Sequence, residues 1–273
     1  MRLRFDDRLE KYIFFFVIVW TLIIYSKMAI GIMPKGEINL GYIFYTFSYP
    51  LFFMIIPLII TYAIPWEEEK DIKFDLRETK ITCIYFGVLF LWLELLAPEL
   101  LLRGILSALS LLNIVASRDL VLALYRFGNL FPVFLFIIMR KQSLKTIGIT
   151  TRNLGRSMLL MIIPFAYLLY WIFTSSISPA SLMVLAFSAL TVGIVEEFLY
   201  RGYPLFRLEP LPLGKGMAVL ITGVIFAAVH GFAFLGFPFV LVPGLVYGLI
   251  FSKTRNILPL ILLHMIWDLA ILL

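Results

Sequence analysis

The chain has 273 residues, of which 62% are hydrophobic and 15% are charged, and its net charge is +6. A soluble domain of this length does not need so much apolar surface, whereas each helical crossing of a bilayer requires about 20 predominantly apolar residues. The composition therefore excludes an ordinary soluble protein and predicts an all-α, polytopic transmembrane helix bundle whose partner is the lipid bilayer. The basic residues lie in short connections between apolar runs, which is typical of topology signals, so no nucleic-acid partner is expected.

Apolar runs separated by proline, glycine and charged residues predict about eight to nine membrane helices. The first run is longer than a signal-peptide core and lacks a clear small-residue cleavage site, so we expect an uncleaved helix. Cys83, the single cysteine, falls within an apolar run and is predicted to be a small buried hydrophobe. The candidate spans are residues 12–33, 42–64, 81–97, 119–139, 157–175, 180–208, 216–235, 238–252 and 257–273.

The positive charges predict the orientation of these spans. Most of the 23 lysines and arginines precede the first span or follow the second, fourth, sixth and eighth spans. Because short cytoplasmic loops retain an excess of these residues, we expect a multi-pass protein of the cell membrane with a cytoplasmic N-terminus and an outer C-terminus. Residues 1–140 contribute the N-terminal transmembrane helices, to which no role is assigned.

Ionisable residues cluster within the spans of the last third of the chain. Each such residue costs about 2.5 to 3.5 kcal/mol on insertion scales, so its default interpretation is functional. The sixth span carries Glu196, Glu197 and Arg201, the seventh carries Phe226 and His230, and the ninth carries His264 and Asp268. Phe226 is expected to be a packing residue. The predicted catalytic residues are Glu196, Glu197, Arg201, His230, His264 and Asp268.

Helical spacing arranges these groups into polar stripes. Residues four apart share a helix face, so Glu197 can pair with Arg201, whereas Glu196 points about 100° away. His264 and Asp268 share a face in the same way. Counted from the inner helix ends, Glu196 and His230 lie at similar depths. His264 follows the start of its span closely, so the ninth helix is expected to tilt or to begin earlier.

Two carboxylates and two imidazoles in a low-dielectric cavity within the bilayer suit hydrolysis. A buried carboxylate can take a proton from water, and a histidine can position that water or donate to a leaving amine. No serine or cysteine lies in the three stripes as a nucleophile, which favours direct attack by water on an amide. The alternatives are a zinc site built from the histidines and a glutamate, and a non-proteolytic transporter or scaffold that uses the buried charges as an ion or proton path.

Arg126 is an isolated charge inside the fourth span. An intramembrane arginine is more often the partner of a buried carboxylate than a catalyst, and Glu94 and Glu197 are the available candidates. We therefore place Arg126 outside the predicted site.

Three motifs in consecutive order resemble the CAAX protease and bacteriocin-processing family of intramembrane glutamic endopeptidases, which includes the Rce1-type prenyl proteases. They are Glu-Glu-x-x-x-Arg at Glu196 to Arg201, Phe-x-x-x-His at Phe226 to His230, and His-x-x-x-Asn/Asp at His264 to Asp268. The resemblance implies that residues 141–273 form the protease core. It also implies a metal-independent endopeptidase without a cofactor, which cleaves near the C-terminus of a peptide or protein substrate that can be prenylated.

The resemblance also implies a role for each motif residue. Glu196 would activate the attacking water together with His230, while His264 and residue 268 would stabilise the oxyanion. Glu197 and Arg201 would support the geometry and charge of the site. The family often has asparagine where this chain has Asp268, and an ionised aspartate cannot donate to an oxyanion. We therefore expect Asp268 to orient His264 as a hydrogen-bond acceptor.

Overall fold

The structure, a computed structural model, describes residues 5–32, 48–67, 74–93, 96, 103–111, 118–212, 214–230 and 236–272. Every regular element within these ranges is a helix, which confirms the all-α prediction. In chain order the α-helices are α1 (Arg8–Ile32), α2 (Ile56–Ala63), α3 (Leu76–Leu91), α4 (Arg103–Leu111), α5 (Arg118–Gly128), α6 (Phe131–Met139), α7 (Leu154–Met158), α8 (Ile162–Thr174), α9 (Pro179–Glu197), α10 (Pro204–Leu208), α11 (Gly214–Val229), α12 (Gly236–Thr254) and α13 (Ile257–Leu272).

Several helical segments are long and apolar enough to cross a membrane. Among the described residues there are four: Arg8–Ser26, Val121–Met139, Leu154–Thr174 and Pro179–Leu208. Four shorter apolar helices accompany them: Ser48–Ala63, Gly214–Val229, Phe239–Thr254 and Ile257–Ile271. These lengths and compositions confirm an integral membrane helix bundle. Parts of the predicted spans, among them residues 33, 42–47, 94–95, 97 and 231–235, lie outside the described residues.

Two predicted spans are not single α-helices. The fourth consists of α5 and α6, which are separated by a turn at Asn129 and Leu130, and Pro132 lies in the first turn of α6. The sixth leaves the α-helical path after Glu197: a π-helix, Phe198–Gly202, follows α9 and leads into the short helix α10. Proline lacks the amide hydrogen that would continue a preceding helix, which explains why new segments begin at these points.

The third predicted span begins earlier than expected, because Asp75 caps the N-terminus of α3. The Asp75 side chain accepts hydrogen bonds from the backbone amides of Arg77 and Glu78, so the helix begins in the charged segment that precedes the apolar run. The prediction for Cys83 is wrong: this residue lies on α3 with its side chain exposed.

The helices that carry the three motifs pack as two close pairs. α9 lies against α13, and α11 lies against α12. The second contact is close because Gly223 and Gly244 face each other: a β-carbon on Gly244 would meet the carbonyl oxygen of Gly223 at 3.1 Å. Small residues of this kind are what let membrane helices approach each other. Helix α1 packs against both α11 and α12, so Phe14 and Val17 share one core with Phe251.

A charged cluster, which we call the N-terminal clamp, joins the start of α1 to α11 and α12. Lys253 lies 2.8 Å from Asp6 and 3.1 Å from Glu10, and Tyr62 donates to Glu10 at 2.9 Å. Lys215 lies 2.5 Å from Asp6. Burial raises the pKa of the Asp6 carboxyl, but hydrogen bonds and charge from Lys215 and Lys253 lower the pKa by more, so that it lies below its ordinary value.

Glu10→Gln is expected to reduce the free energy of unfolding by about 2 kcal/mol, because it weakens charge-assisted hydrogen bonds at a fully buried position. Thermal unfolding in one detergent measures the change. The matched control is Glu67→Gln, since Glu67 is largely exposed and lies 3.7 Å from Arg156; its effect should stay within about 0.5 kcal/mol. Equal effects of the two substitutions would show that the clamp does not stabilise the fold.

Candidate active site

The backbone of α9 approaches α13 closely one turn before the Glu-Glu pair. A β-carbon on Gly193 would meet the Ile261 carbonyl oxygen at 3.0 Å and the His264 β-carbon at 3.5 Å. Glycine at this position therefore brings His264 level with Glu197. The ninth helix does not begin earlier than predicted, because α13 begins at Ile257; its tilt in the membrane stays a prediction.

Glu196 faces both imidazole rings. Its Oε1 lies 3.6 Å from His230 Nε2, and its Oε2 lies 3.7 Å from His264 Nε2. One carboxylate therefore lies between two ring nitrogens, at separations slightly longer than direct hydrogen bonds. The Glu196 side chain is 22% exposed and lines a cavity, so the space in front of it is accessible.

Glu197 points to the other side of α9 and is fully buried. Its Oε1 accepts a hydrogen bond from His264 Nδ1 at 2.7 Å and another from Arg201 Nη1 at 3.2 Å. Arg201 is also fully buried, and its Nη2 lies within 3.4 Å of the Gly244 carbonyl oxygen. The predicted pair of Glu197 with Arg201 is thus present. Glu197 in addition fixes the His264 ring, so that Nε2 turns toward Glu196.

Phe226 connects the buried arginine to the second histidine. The Arg201 guanidinium lies 4.1 Å from the centre of the Phe226 ring, which is a cation–π contact. The His230 ring lies 4.6 Å from the same ring. His230 Nδ1 donates to the Phe226 carbonyl oxygen at 2.7 Å, since a carbonyl can only accept. A neutral His230 therefore has its lone pair on Nε2, the nitrogen that faces Glu196.

Asp268 lies on the same face of α13 as His264, as its spacing predicted. Its Oδ2 is 3.7 Å from His264 Nε2, the same ring nitrogen that faces Glu196. The His264 ring makes its direct hydrogen bond through Nδ1, which donates to Glu197 rather than to Asp268. The structure thus brings the side chains of all six predicted residues into one cluster, in which Asp268 borders the cavity.

A cavity of about 570 Å³ opens in front of these groups. Most of its wall is aromatic or aliphatic, and the polar groups converge on one side, as is typical of a binding site for an apolar ligand. Helices outside the three motifs contribute much of this wall. The lining consists of Tyr25, Tyr49, Val192, Glu196, Phe226, His230, Phe239, Val240, Pro243, Tyr247, His264, Trp267, Asp268 and Ile271.

Sequence reasoning missed Tyr247, which comes from the eighth predicted span. Its ring lies 5.5 Å from the His264 ring, and its buried hydroxyl makes no hydrogen bond to a described residue. An unsatisfied buried hydroxyl at a cavity wall is available to a ligand. Tyrosine is common in apolar helices, and Tyr247 has no polar neighbour at helical spacing, so no local signal could have singled it out.

Gly193→Ala is expected to lower activity more than stability, because its β-carbon pushes α13 away and lengthens the contact between Glu197 and His264. We expect an overpacking cost of about 1 to 3 kcal/mol and a loss of catalytic rate on the order of 10-fold or more. The matched control is Gly87→Ala on α3, where a β-carbon has no neighbour within 4 Å. Unchanged cleavage in Gly193→Ala would contradict the proposed dependence on helix contact.

Within the described part of the chain, no group of three histidine, cysteine or carboxylate side chains has an arrangement suited to a metal ion. Structural and catalytic zinc sites use at least three protein ligands at about 2.0 to 2.3 Å from a common point. Cleavage of a peptide in excess chelator tests the zinc alternative.

Comparison with known proteins agrees with the motifs. Residues 178–270 match the family described as Rce1-like, type II CAAX prenyl endopeptidase Rce1-like. Neither the curated proteins nor the solved structures gave a significant match. The matched segment contains α9, α11, α12 and nearly all of α13, and thus all six predicted catalytic residues. Residues 178–270 of this integral membrane protein therefore carry the sequence pattern of the Rce1-like protease family, which confirms the resemblance predicted from the three motifs.

Proposed function

We propose that the protein is a metal-independent intramembrane endopeptidase in which Glu196 activates water for attack on a peptide bond. The observation that carries this proposal is the position of Glu196 between His230 and His264, at 3.6 and 3.7 Å, on the wall of an apolar cavity. A water molecule in the cavity beside them can contact Glu196 and a histidine at the same time. The family match of residues 178–270 independently supports peptide hydrolysis.

Glu196 and His230 hold the attacking water. The Glu196 carboxylate and the His230 Nε2 lone pair are two acceptors, so they can bind the two hydrogens of one water molecule. Glu196 takes one proton as the water oxygen forms a bond to the carbonyl carbon, and the carbonyl π electrons move to the oxygen. When the tetrahedral intermediate collapses, the C–N bond breaks, and the amine receives the proton from Glu196.

His264 supports the other side of the reaction. Its Nδ1–H is bonded to Glu197, and a proton on Nε2 would point toward the cavity and donate to the oxyanion. Glu197 and Asp268 balance the positive charge of such an imidazolium. Tyr247 adds a second hydrogen-bond donor, its hydroxyl, on the same wall. In this mechanism Asp268 stabilises the charge and the position of the His264 ring and does not donate to the oxyanion.

The substrate that suits this cavity is a peptide with a large apolar group. The wall combines aromatic rings such as Tyr49, Phe239 and Trp267 with few polar groups. Burial of a prenyl chain or a hydrophobic side chain against this wall is therefore favourable in free energy. We propose cleavage near the C-terminus of a lipidated, CAAX-prenyl-like or membrane-tethered peptide, as the matched family suggests.

The full-length protein in lipid nanodiscs, incubated with a prenylated CAAX peptide in excess chelator, tests the activity. We expect a shortened prenylated peptide, identified by mass spectrometry, and weaker cleavage of the same peptide without its prenyl group. Activity that is lost in the chelator and returns with zinc would contradict the metal-independent mechanism. Proton flux in sealed vesicles without cleavage of any peptide would favour the transporter.

We propose that the N-terminus is cytoplasmic. Segments that the positive charges assign to one side meet at one end of the helix bundle: Lys253 and Lys215 contact Asp6, and Asn153 donates to the Thr254 carbonyl oxygen. This convergence supports one common face with an excess of basic residues. A cysteine introduced near the N-terminus and exposed to a membrane-impermeant label tests the orientation. We expect no labelling in intact cells and labelling after the cells are lysed.

A further inference from the structure

Arg126 is a positive charge inside a candidate membrane span, and the mechanism above does not use it. Its Nη1 donates to the Ser188 side-chain oxygen at 2.9 Å, the Ser188 carbonyl oxygen at 3.3 Å and the Thr191 hydroxyl at 3.1 Å. All three acceptors are neutral and belong to α9. The remaining guanidinium nitrogens make no hydrogen bond to a described residue, although an arginine can donate five hydrogens.

The carboxylates expected to neutralise Arg126 are engaged elsewhere or lie outside the described residues. Of the two predicted partners, Glu197 is bonded to Arg201 and His264 rather than to Arg126. Glu94 lies outside the described residues. Asp268 is close enough for its charge to interact with Arg126, but no hydrogen bond joins them. Because an arginine inside a membrane is costly without an anion, an acidic ligand would fit beside it.

The distance along α9 between Glu196 and the residues that bind Arg126 matches the length of a short extended peptide. Ser188, Val192 and Glu196 are spaced by four residues, so they form one stripe on α9, and the last two line the cavity. At a rise of about 1.5 Å per residue, the oxygens that hold Arg126 lie roughly 8 to 12 Å along the helix from Glu196. An extended peptide covers about 3.3 Å per residue, so this interval equals about two to four residues.

We propose that Arg126 binds the C-terminal carboxylate of the substrate and thereby sets how far from the C-terminus the peptide bond is cut. This inference rests on the proposed endopeptidase. The planar guanidinium can bind both carboxylate oxygens at once, while Ser188 and Thr191 hold its position. The scissile carbonyl then lies beside Glu196, with the short leaving fragment extended along the Ser188–Glu196 stripe.

Two prenylated CAAX peptides test the proposal: one ends in a free carboxylate and the other in a carboxamide. The wild-type protein is expected to cleave the carboxylate peptide on the order of 10- to 100-fold faster, judged by kcat/KM, because the amide loses the charge-assisted hydrogen bonds. Arg126→Gln should remove most of this preference by slowing only the carboxylate peptide. Arg126→Lys should retain part of it, since lysine keeps the charge but not the planar fork.

Arg140→Gln is the matched control, because it removes a positive charge directly after α6, where Arg140 pairs with Glu78 away from the cavity. The ratio of kcat/KM for the carboxylate peptide to kcat/KM for the carboxamide peptide should not change in this variant. Equal wild-type rates for carboxylate and amide overturn the proposal and leave the endopeptidase standing. Slowing of both peptides by the same factor in Arg126→Gln also overturns it, since that is a structural effect. Failure of the wild type to cleave either peptide instead refutes the proposed function.

Discussion

Glu196→Gln is expected to lower kcat/KM for a prenylated peptide by about 10²- to 10⁴-fold, the range attributed to general acid–base catalysis. Glutamine has nearly the same shape but cannot take a proton from water. Glu196 is not part of the buried contact between Glu197, Arg201 and His264, so the unfolding temperature should change little. Cleavage kinetics and thermal unfolding of the same preparation measure the two effects separately.

Glu67→Gln is the matched control for this experiment, because Glu67 is a largely exposed carboxylate far along the chain from the motifs. It should cleave at the wild-type rate. Retention of most activity in Glu196→Gln would rule out Glu196 as the base. Loss of the fold in Glu196→Gln would instead show that the carboxylate is a structural partner of the two histidines.

Arg201→Met is expected to destabilise the protein by about 3 to 5 kcal/mol, which is the typical cost of breaking a buried ion pair. Arg201 and Glu197 are both fully buried, and methionine would leave His264 as the one described residue that hydrogen-bonds the Glu197 carboxylate. The Phe226 ring would also lose its cation–π contact. Thermal or denaturant unfolding in detergent measures the loss.

The double variant Glu197→Gln, Arg201→Met separates charge from packing. Because it removes both charges of the pair, the double variant should recover a substantial part of the stability that Arg201→Met loses. Its activity should remain low, since the amide of glutamine replaces the carboxylate that fixes His264. If the double variant is as unstable as the sum of its single variants, the charges of Glu197 and Arg201 are not coupled.

The polar stripes of the site could be predicted from the sequence because they depend on local helix geometry. A spacing of four residues was enough to pair Glu197 with Arg201 and to place Asp268 on the His264 face. Charged residues inside apolar runs are rare, so these positions stood out from the composition around them. The all-α bundle followed from the same apolar runs.

Contacts between helices could not be predicted in this way. The hydrogen bond between Glu197 and His264 depends on the close approach of α9 and α13 at Gly193, and one glycine in an apolar run does not show which helix it faces. The π-helix after Glu197 has no sequence signal apart from the following Pro204. Tyr247 joins the cavity only through the packing of α12.

The central claim is that Glu196 and His230 act together on one water molecule, and a double-mutant cycle tests it most directly. We would measure single-turnover cleavage of a prenylated peptide by Glu196→Gln, His230→Gln and the double variant. If the two side chains act as a unit, the double variant loses little more than the slower single variant. If the two losses multiply, Glu196 and His230 contribute independently, and the shared-water mechanism is contradicted.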